Sequence, residues 1–139
     1  MKVKLSEIID AIESADQYSQ YFLDKETGKV AFVSEMGMTY DEQQEIYDVL
    51  DEHGFYRLPT SYDIHEYKIM EDFVYSLPDP ACDRLSIAIS GKGAFRRFRD
   101  TVRRLGLSEQ WYAWRDNAFR RLAVEWCEEN GVEYEEQET

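Results

Sequence analysis

Apolar positions recur along this chain at helical spacing in some stretches and at strand spacing in others. Leu5, Ile8, Ile9 and Ile12 keep the three-and-four interval of one helix face, with Glu7, Asp10 and Glu13 turned away, which predicts an amphipathic helix over residues 5–15. The pattern then changes. Residues 18–24 and 29–35 are rich in aromatic and β-branched side chains, and Gly28 can supply the positive φ of the loop between them, so the two runs predict a β-hairpin. Gly37 ends the second run. Thr39 followed by Glu42 is the pattern in which two side chains cap a first helical turn reciprocally, predicting a helix to about His53 with Ile46, Tyr47, Val49 and Leu50 inward and Gly54 as its stop. Residues 55–58 read as a short third strand ended by Pro59.

Helical spacing dominates the remainder. Thr60 and Asp63 repeat the capping pattern and open a helix to residue 77, with Ile64, Tyr67, Met70, Phe73, Val74 and Leu77 inward. Asp79-Pro80 reads as a cap followed by proline at the first helical position, starting a short helix that stops at Gly91. Two longer helices follow, residues 94–105 and 109–130, joined only by Gly106-Leu107-Ser108. A connection that short predicts an adjacent helix pair. The expected fold class is α+β. It is a single compact domain over residues 1–132, with a small antiparallel sheet built on the hairpin and covered by helices, and residues 133–139 as an acidic tail.

Composition changes this picture in one place. The chain carries 16 basic and 29 acidic residues, net −13, yet the imbalance is uneven. Residues 1–83 hold 6 basic and 19 acidic groups; residues 84–121 hold 10 and 3, net +7; residues 122–139 hold 7 acidic groups and no basic one. A globally acidic chain repels phosphate except where a basic patch is presented, so any anion binding has to be local. No apolar run approaches the roughly 20 residues of a membrane span. A soluble, cytoplasmic protein with no membrane partner is expected.

The basic island is the region with candidate chemistry. Gly91-Lys92-Gly93 precedes a helix whose first N–H groups suit an anion, and Lys92, Gly93, Arg96, Arg97, Arg99 and Arg103 are candidate ligands of phosphate or nucleic acid. The same arginines could instead neutralise the acidic half of the chain from within. In that helix Phe95, Phe98, Val102 and Leu105 form the expected buried stripe. Trp111, Tyr112 and Trp114 on the next helix are candidate stacking groups for a base, beside Arg115; their helical spacing fits a core face equally. No catalytic residue, metal ligand or cofactor is expected. His53 and His65 are the two histidines and do not form a metal-binding pair, Cys82 and Cys127 lack the spacing of a zinc or redox motif, and no nucleophile elbow occurs. The composition supports two functions: a binding module for RNA or a nucleotide, or an acidic protein-interaction or inhibitor protein that engages a basic protein partner, for which imitation of nucleic acid is one route.

The runs YFLDKETGKVAFVSE, GKGAFRRFRDTVRRLGL, QWYAWRDNAF and EWCEENGV together resemble the small proteins grouped as uncharacterised protein family 0158. The resemblance spans most of the chain. It implies a bacterial or phage source and a hairpin and C-terminal block that belong to one structural unit, and it brings no mechanism.

Overall fold

The structure, a computed structural model, describes residues 2–136. In chain order its elements are β1 (Lys2–Lys4), α1 (Leu5–Glu13), β2 (Ser19–Asp24), β3 (Val30–Ser34), α2 (Tyr40–His53), β4 (Phe55–Arg57) and α3 (Ser61–Ile64). There follow α4 (Glu66–Ser76), α5 (Ala81–Ala88), α6 (Ala94–Arg104), α7 (Ser108–Glu129) and β5 (Glu133–Glu135). The class is α+β. Backbone contacts gather the chain into two units, one running to Ile64 and resuming at Phe119, the other His65–Ala118. The C-terminal block is therefore divided: its arginine-rich helix lies in the second unit, and the end of α7 shares the first with the hairpin.

In the first unit a three-stranded antiparallel sheet of order β3-β2-β4 has helices on both faces. Alternation along β2 decides which residue meets which helix. Phe22 points to α2, packing with Val33 and Leu50 and meeting Tyr47 and Phe55 edge-on at centroid distances of 5.9 and 5.3 Å. Leu23, its neighbour, points the other way and is fully buried. Tyr56, paired with Leu23 in register, meets Trp126 of α7 at 6.2 Å, and the Trp126 indole donates to the Arg57 carbonyl at 2.8 Å. The predicted capping box of α2 is complete. Thr39 Oγ1 accepts from the Glu42 amide, and Glu42 accepts from the Thr39 amide, an arrangement worth about 1 kcal/mol.

β1 and β5 form a second, parallel pair that the sequence reading leaves out. Lys2 stands opposite Glu133 and Lys4 opposite Glu135, so opposite charges face each other across the ladder while Val3 and Val132 are buried. Residues 133–135 of the expected acidic tail are thus a strand, and Glu136 pairs with Arg120. Residues 137–139 lie outside the described residues.

The second unit is helical. Phe73 on α4 is its hub, with Phe98 at 6.3 Å, Trp111 at 5.3 Å and Trp114 at 5.8 Å, and Phe98 meets Trp111 edge-on at 4.8 Å. The predicted turn between the last two helices closes by bonds from the Gly106 and Leu107 amides to the Arg103 and Val102 carbonyls.

Three expectations need correction. The helix expected over 60–77 breaks after one turn, because His65 adopts a left-handed conformation at φ 54° and its carbonyl starts α4 afresh. Thr60 and Asp63 still cap each other. The N-cap of α5 is Pro80 and not Asp79. Phe95, Tyr67 and Val49, expected on inward faces, are exposed; Tyr67 reaches sideways to donate its hydroxyl to the Ile89 carbonyl at 2.8 Å and meets the Phe95 ring at 6.5 Å.

Candidate functional site

α6 is strongly two-sided because Ala94, Phe98 and Val102 fall on one face and are buried. Helical geometry then sets Phe95, Arg99 and Arg103 in line along one flank with Arg96 beside them, and puts Arg97 and Arg104 on the other. The two flanks have different fates. Among the described residues Arg96, Arg99 and Arg103 enter no ion pair, and all three are exposed. The ridge therefore forms no salt bridge with the described part of its own chain.

Arg97 is turned back onto the backbone. Its Nε donates to the Ala88 carbonyl at 3.0 Å, and its two terminal nitrogens donate to the carbonyls of Lys92 and Ser90. A guanidinium has a fixed fork of donors that can collect several carbonyls at once. Arg97 thus clamps the turn between α5 and α6. Gly93, the N-cap of α6, has φ 75°, and a Cβ there would lie 3.1 Å from an Arg97 nitrogen, so glycine meets both the backbone and the packing demand. Lys92 is exposed on this clamped turn. Gly93 brings no side-chain acceptor to the first turn of α6, which leaves its amides without a side-chain cap.

Beside the ridge the second unit opens into a pocket of about 440 Å³, lined by Glu66 and Met70 of α4, Phe95, Phe98 and Arg99 of α6, and Trp111, Tyr112 and Arg115 of α7. Its volume is within the span of small-molecule sites, roughly 300–1,000 Å³. Trp111 is 7 % exposed, its ring held in the core by Phe73 and Phe98, whereas Tyr112 and Phe95 are 61 % and 48 % exposed. Trp114 is half-buried against Phe73 and does not line the pocket. Arg115 Nη2 lies 3.5 Å from Glu66 Oε1. Of the residues predicted from sequence, the structure thus brings together Arg99, Trp111 and Tyr112. Glu66, Met70, Phe95, Phe98 and Arg115 complete the pocket. The four-residue steps from Phe95 to Arg99 and from Trp111 to Arg115 were the available signal for two of them.

A second polar cluster lies in the first unit. Asp24, buried at the end of β2, accepts through Oδ1 from the amides of Glu26 and Thr27 at 2.8 and 3.0 Å, and through Oδ2 from His53 Nδ1 at 2.8 Å. His53 Nε2 is 3.1 Å from a Glu26 carboxylate oxygen. With an acceptor at each nitrogen the ring is suited to carry both protons. The hydrogen bond to Asp24, outweighing partial burial, raises the His53 pKa, aided by the charges of Asp24, Glu26 and Glu52. Burial pushes the Asp24 carboxyl upward, but the bonds from His53, Thr27 and Glu26 prevail and hold it below its ordinary value. The cluster ties the hairpin loop to the end of α2; the Lys25 amide adds a bond to the Gly54 carbonyl at 3.0 Å.

Burial raises the Cys127 thiol to about 11, so it stays protonated near neutrality, and no disulfide joins it to Cys82. Among the described residues no group of three His, Cys, Asp or Glu side chains is placed to hold a metal ion, and no helix is long and apolar enough to cross a membrane. The sequence profile of Uncharacterised protein family (UPF0158) matches residues 1–139. No curated protein and no solved structure matches the chain.

Proposed function

The chain belongs to Uncharacterised protein family (UPF0158), and we propose that it is a non-catalytic binding module for a phosphate-bearing ligand, RNA or a nucleotide, with the ring seated in the α4–α6–α7 pocket. The observation that carries this reading is the ridge of Arg96, Arg99 and Arg103, unpaired among the described residues and continuous through Arg99 with an aromatic pocket. Phosphate needs cationic or N–H donors, and a base needs a flat apolar surface. Tyr112 and Phe95 offer exposed rings at the pocket, and Lys92 adds charge at the start of the same helix. The clamp made by Arg97 keeps that turn in place, which lowers the cost of ordering it around a ligand.

Titration with short single-stranded RNA and a panel of nucleotides at two salt concentrations tests this. If three arginines each neutralise one phosphate, the affinity for RNA falls about 20-fold between roughly 50 and 200 mM salt. Arg96→Glu with Arg99→Glu abolishes the binding. Absent binding, or binding unchanged in the double variant, refutes the proposal.

A second reading rests on the other end of the charge distribution. Asp41, Glu42, Glu45, Asp48, Asp51 and Glu52 lie along α2, all of them exposed, an acidic surface suited to a basic protein partner. Recovery of a basic nucleic-acid-binding protein on the intact chain, lost when these carboxylates are replaced by amides, would favour it over the first.

A further inference from the structure

We propose that Glu66 reads the base of the ligand and selects guanine, an inference that rests on the nucleotide-binding reading above. The pocket is charged unevenly. On α6, Arg99 continues into the exposed ridge, while on α4 Glu66 stands against Arg115 at 3.5 Å and makes no ion pair with Arg99. Arg99 has no ion-pair partner among the described residues and attracts phosphate, whereas the charge of Arg115 is offset by Glu66 beside it, so the ligand takes one orientation: phosphate toward the ridge, base toward Glu66. The aromatic lining, Trp111 and Tyr112, belongs with the base.

A glutamate carboxylate can only accept hydrogen bonds. The contact with Arg115 occupies one side of one Glu66 oxygen, and a carboxylate has about four acceptor positions. Among the common bases guanine presents two adjacent donors, N1–H and N2–H, at the spacing of the two carboxylate oxygens. Adenine and cytosine present one amino donor beside a ring nitrogen lone pair, which a second carboxylate oxygen repels. Uracil presents one N–H between two carbonyls. A site built on a carboxylate acceptor pair therefore discriminates by leaving unmatched acceptors against the wrong base. Arg115 contributes by directing the carboxylate into the pocket.

The test is calorimetric titration of the full chain with guanosine, inosine and adenosine 5′-monophosphates, repeated with Glu66→Gln and with Arg99→Gln. The guanine nucleotide is expected to bind about tenfold or more tightly than the adenine nucleotide, with inosine, which lacks the N2 amine, between them. Glu66→Gln removes that preference and retains binding that Arg99→Gln weakens; Glu66→Ala does the same. A pair of uridine hexanucleotides, one with a single guanine, shows whether the preferred base is taken free or from a strand. Equal, Arg99-dependent binding of the guanine and adenine nucleotides in the native chain overturns base reading by Glu66 and leaves the phosphate-binding proposal standing. A preference that survives Glu66→Gln overturns the role of Glu66. No binding of any nucleotide or RNA overturns the proposed function itself.

Discussion

Replacing Phe73 is the most direct test of how the second unit is held together. Its ring is 2 % exposed and faces three other aromatic rings at 5.3 to 6.3 Å. Truncation to alanine would cost about 3–5 kcal/mol, a large part of the roughly 5–15 kcal/mol that holds a typical protein folded. Phe73→Leu is the sharper perturbation, because it keeps an apolar side chain of similar bulk. Repacking alone costs less than about 1.5 kcal/mol, and removing each of the three ring–ring pairings adds about 0.5–1.5 kcal/mol. A total of about 2–5 kcal/mol follows, bounded above by the cost of full truncation, which for a chain of this size lowers Tm by roughly 6–15 °C. Urea denaturation followed by tryptophan emission measures it well, since Trp111 and Trp114 both touch the substituted ring. Tyr75→Leu on the same helix is the control: that ring is largely exposed, and its loss should change stability by no more than about 0.5 kcal/mol. Equal effects of the two substitutions would show that the aromatic hub does not organise this unit.

Two further outcomes follow from the polar contacts. The raised pKa of His53 means that its contribution to stability is complete below its ordinary value of 6.5 and is lost as pH rises through the raised value. The depressed pKa of Asp24 means that its contribution is present above the ordinary 3.8 and is lost as pH falls through the lower value. Tm scanned from about pH 3 to 9 should therefore peak between these limits, and His53→Gln should flatten the fall on the alkaline side; an unaltered profile in that variant would remove His53 from the explanation. For Arg97, substitution by alanine frees three carbonyls at a cost of about 1–3 kcal/mol, and amide exchange across residues 88–93 should quicken. Arg97→Lys should not restore protection, because an ammonium lacks the planar fork. Exchange unchanged by either substitution would mean that the turn is ordered by other contacts.

The candidate site was only partly legible in the sequence, and the residues that escaped share a cause. Arg96, Arg99 and Arg103 could be placed on one flank because helix geometry alone determines it. Arg97 has the same composition and neighbourhood, yet it bonds inward, since the turn carbonyls of 88, 90 and 92 lie within reach of its flank and not of the other. Phe95 completes an apolar period on α6, which is why periodicity places it in the core. It is nevertheless half exposed, because no element covers that flank enough to bury it. Glu66 gave no signal: its meeting with Arg115 joins positions 49 apart in the chain.

The sequence by itself determined what depends on neighbours along the chain. The hairpin, the capping boxes at Thr39 and Thr60, the α6–α7 turn and the uneven charge all follow from side-chain period and from local backbone chemistry. The tertiary structure decided what depends on partners brought from afar. It paired β1 with β5 across nearly the full length of the chain, joined Asp24 to His53 at the end of α2, and set Arg99, Tyr112 and Glu66 around one pocket. Periodicity says which face of an element is apolar; the neighbours packed beside it decide which residues on its margins are buried, paired or left open to a ligand.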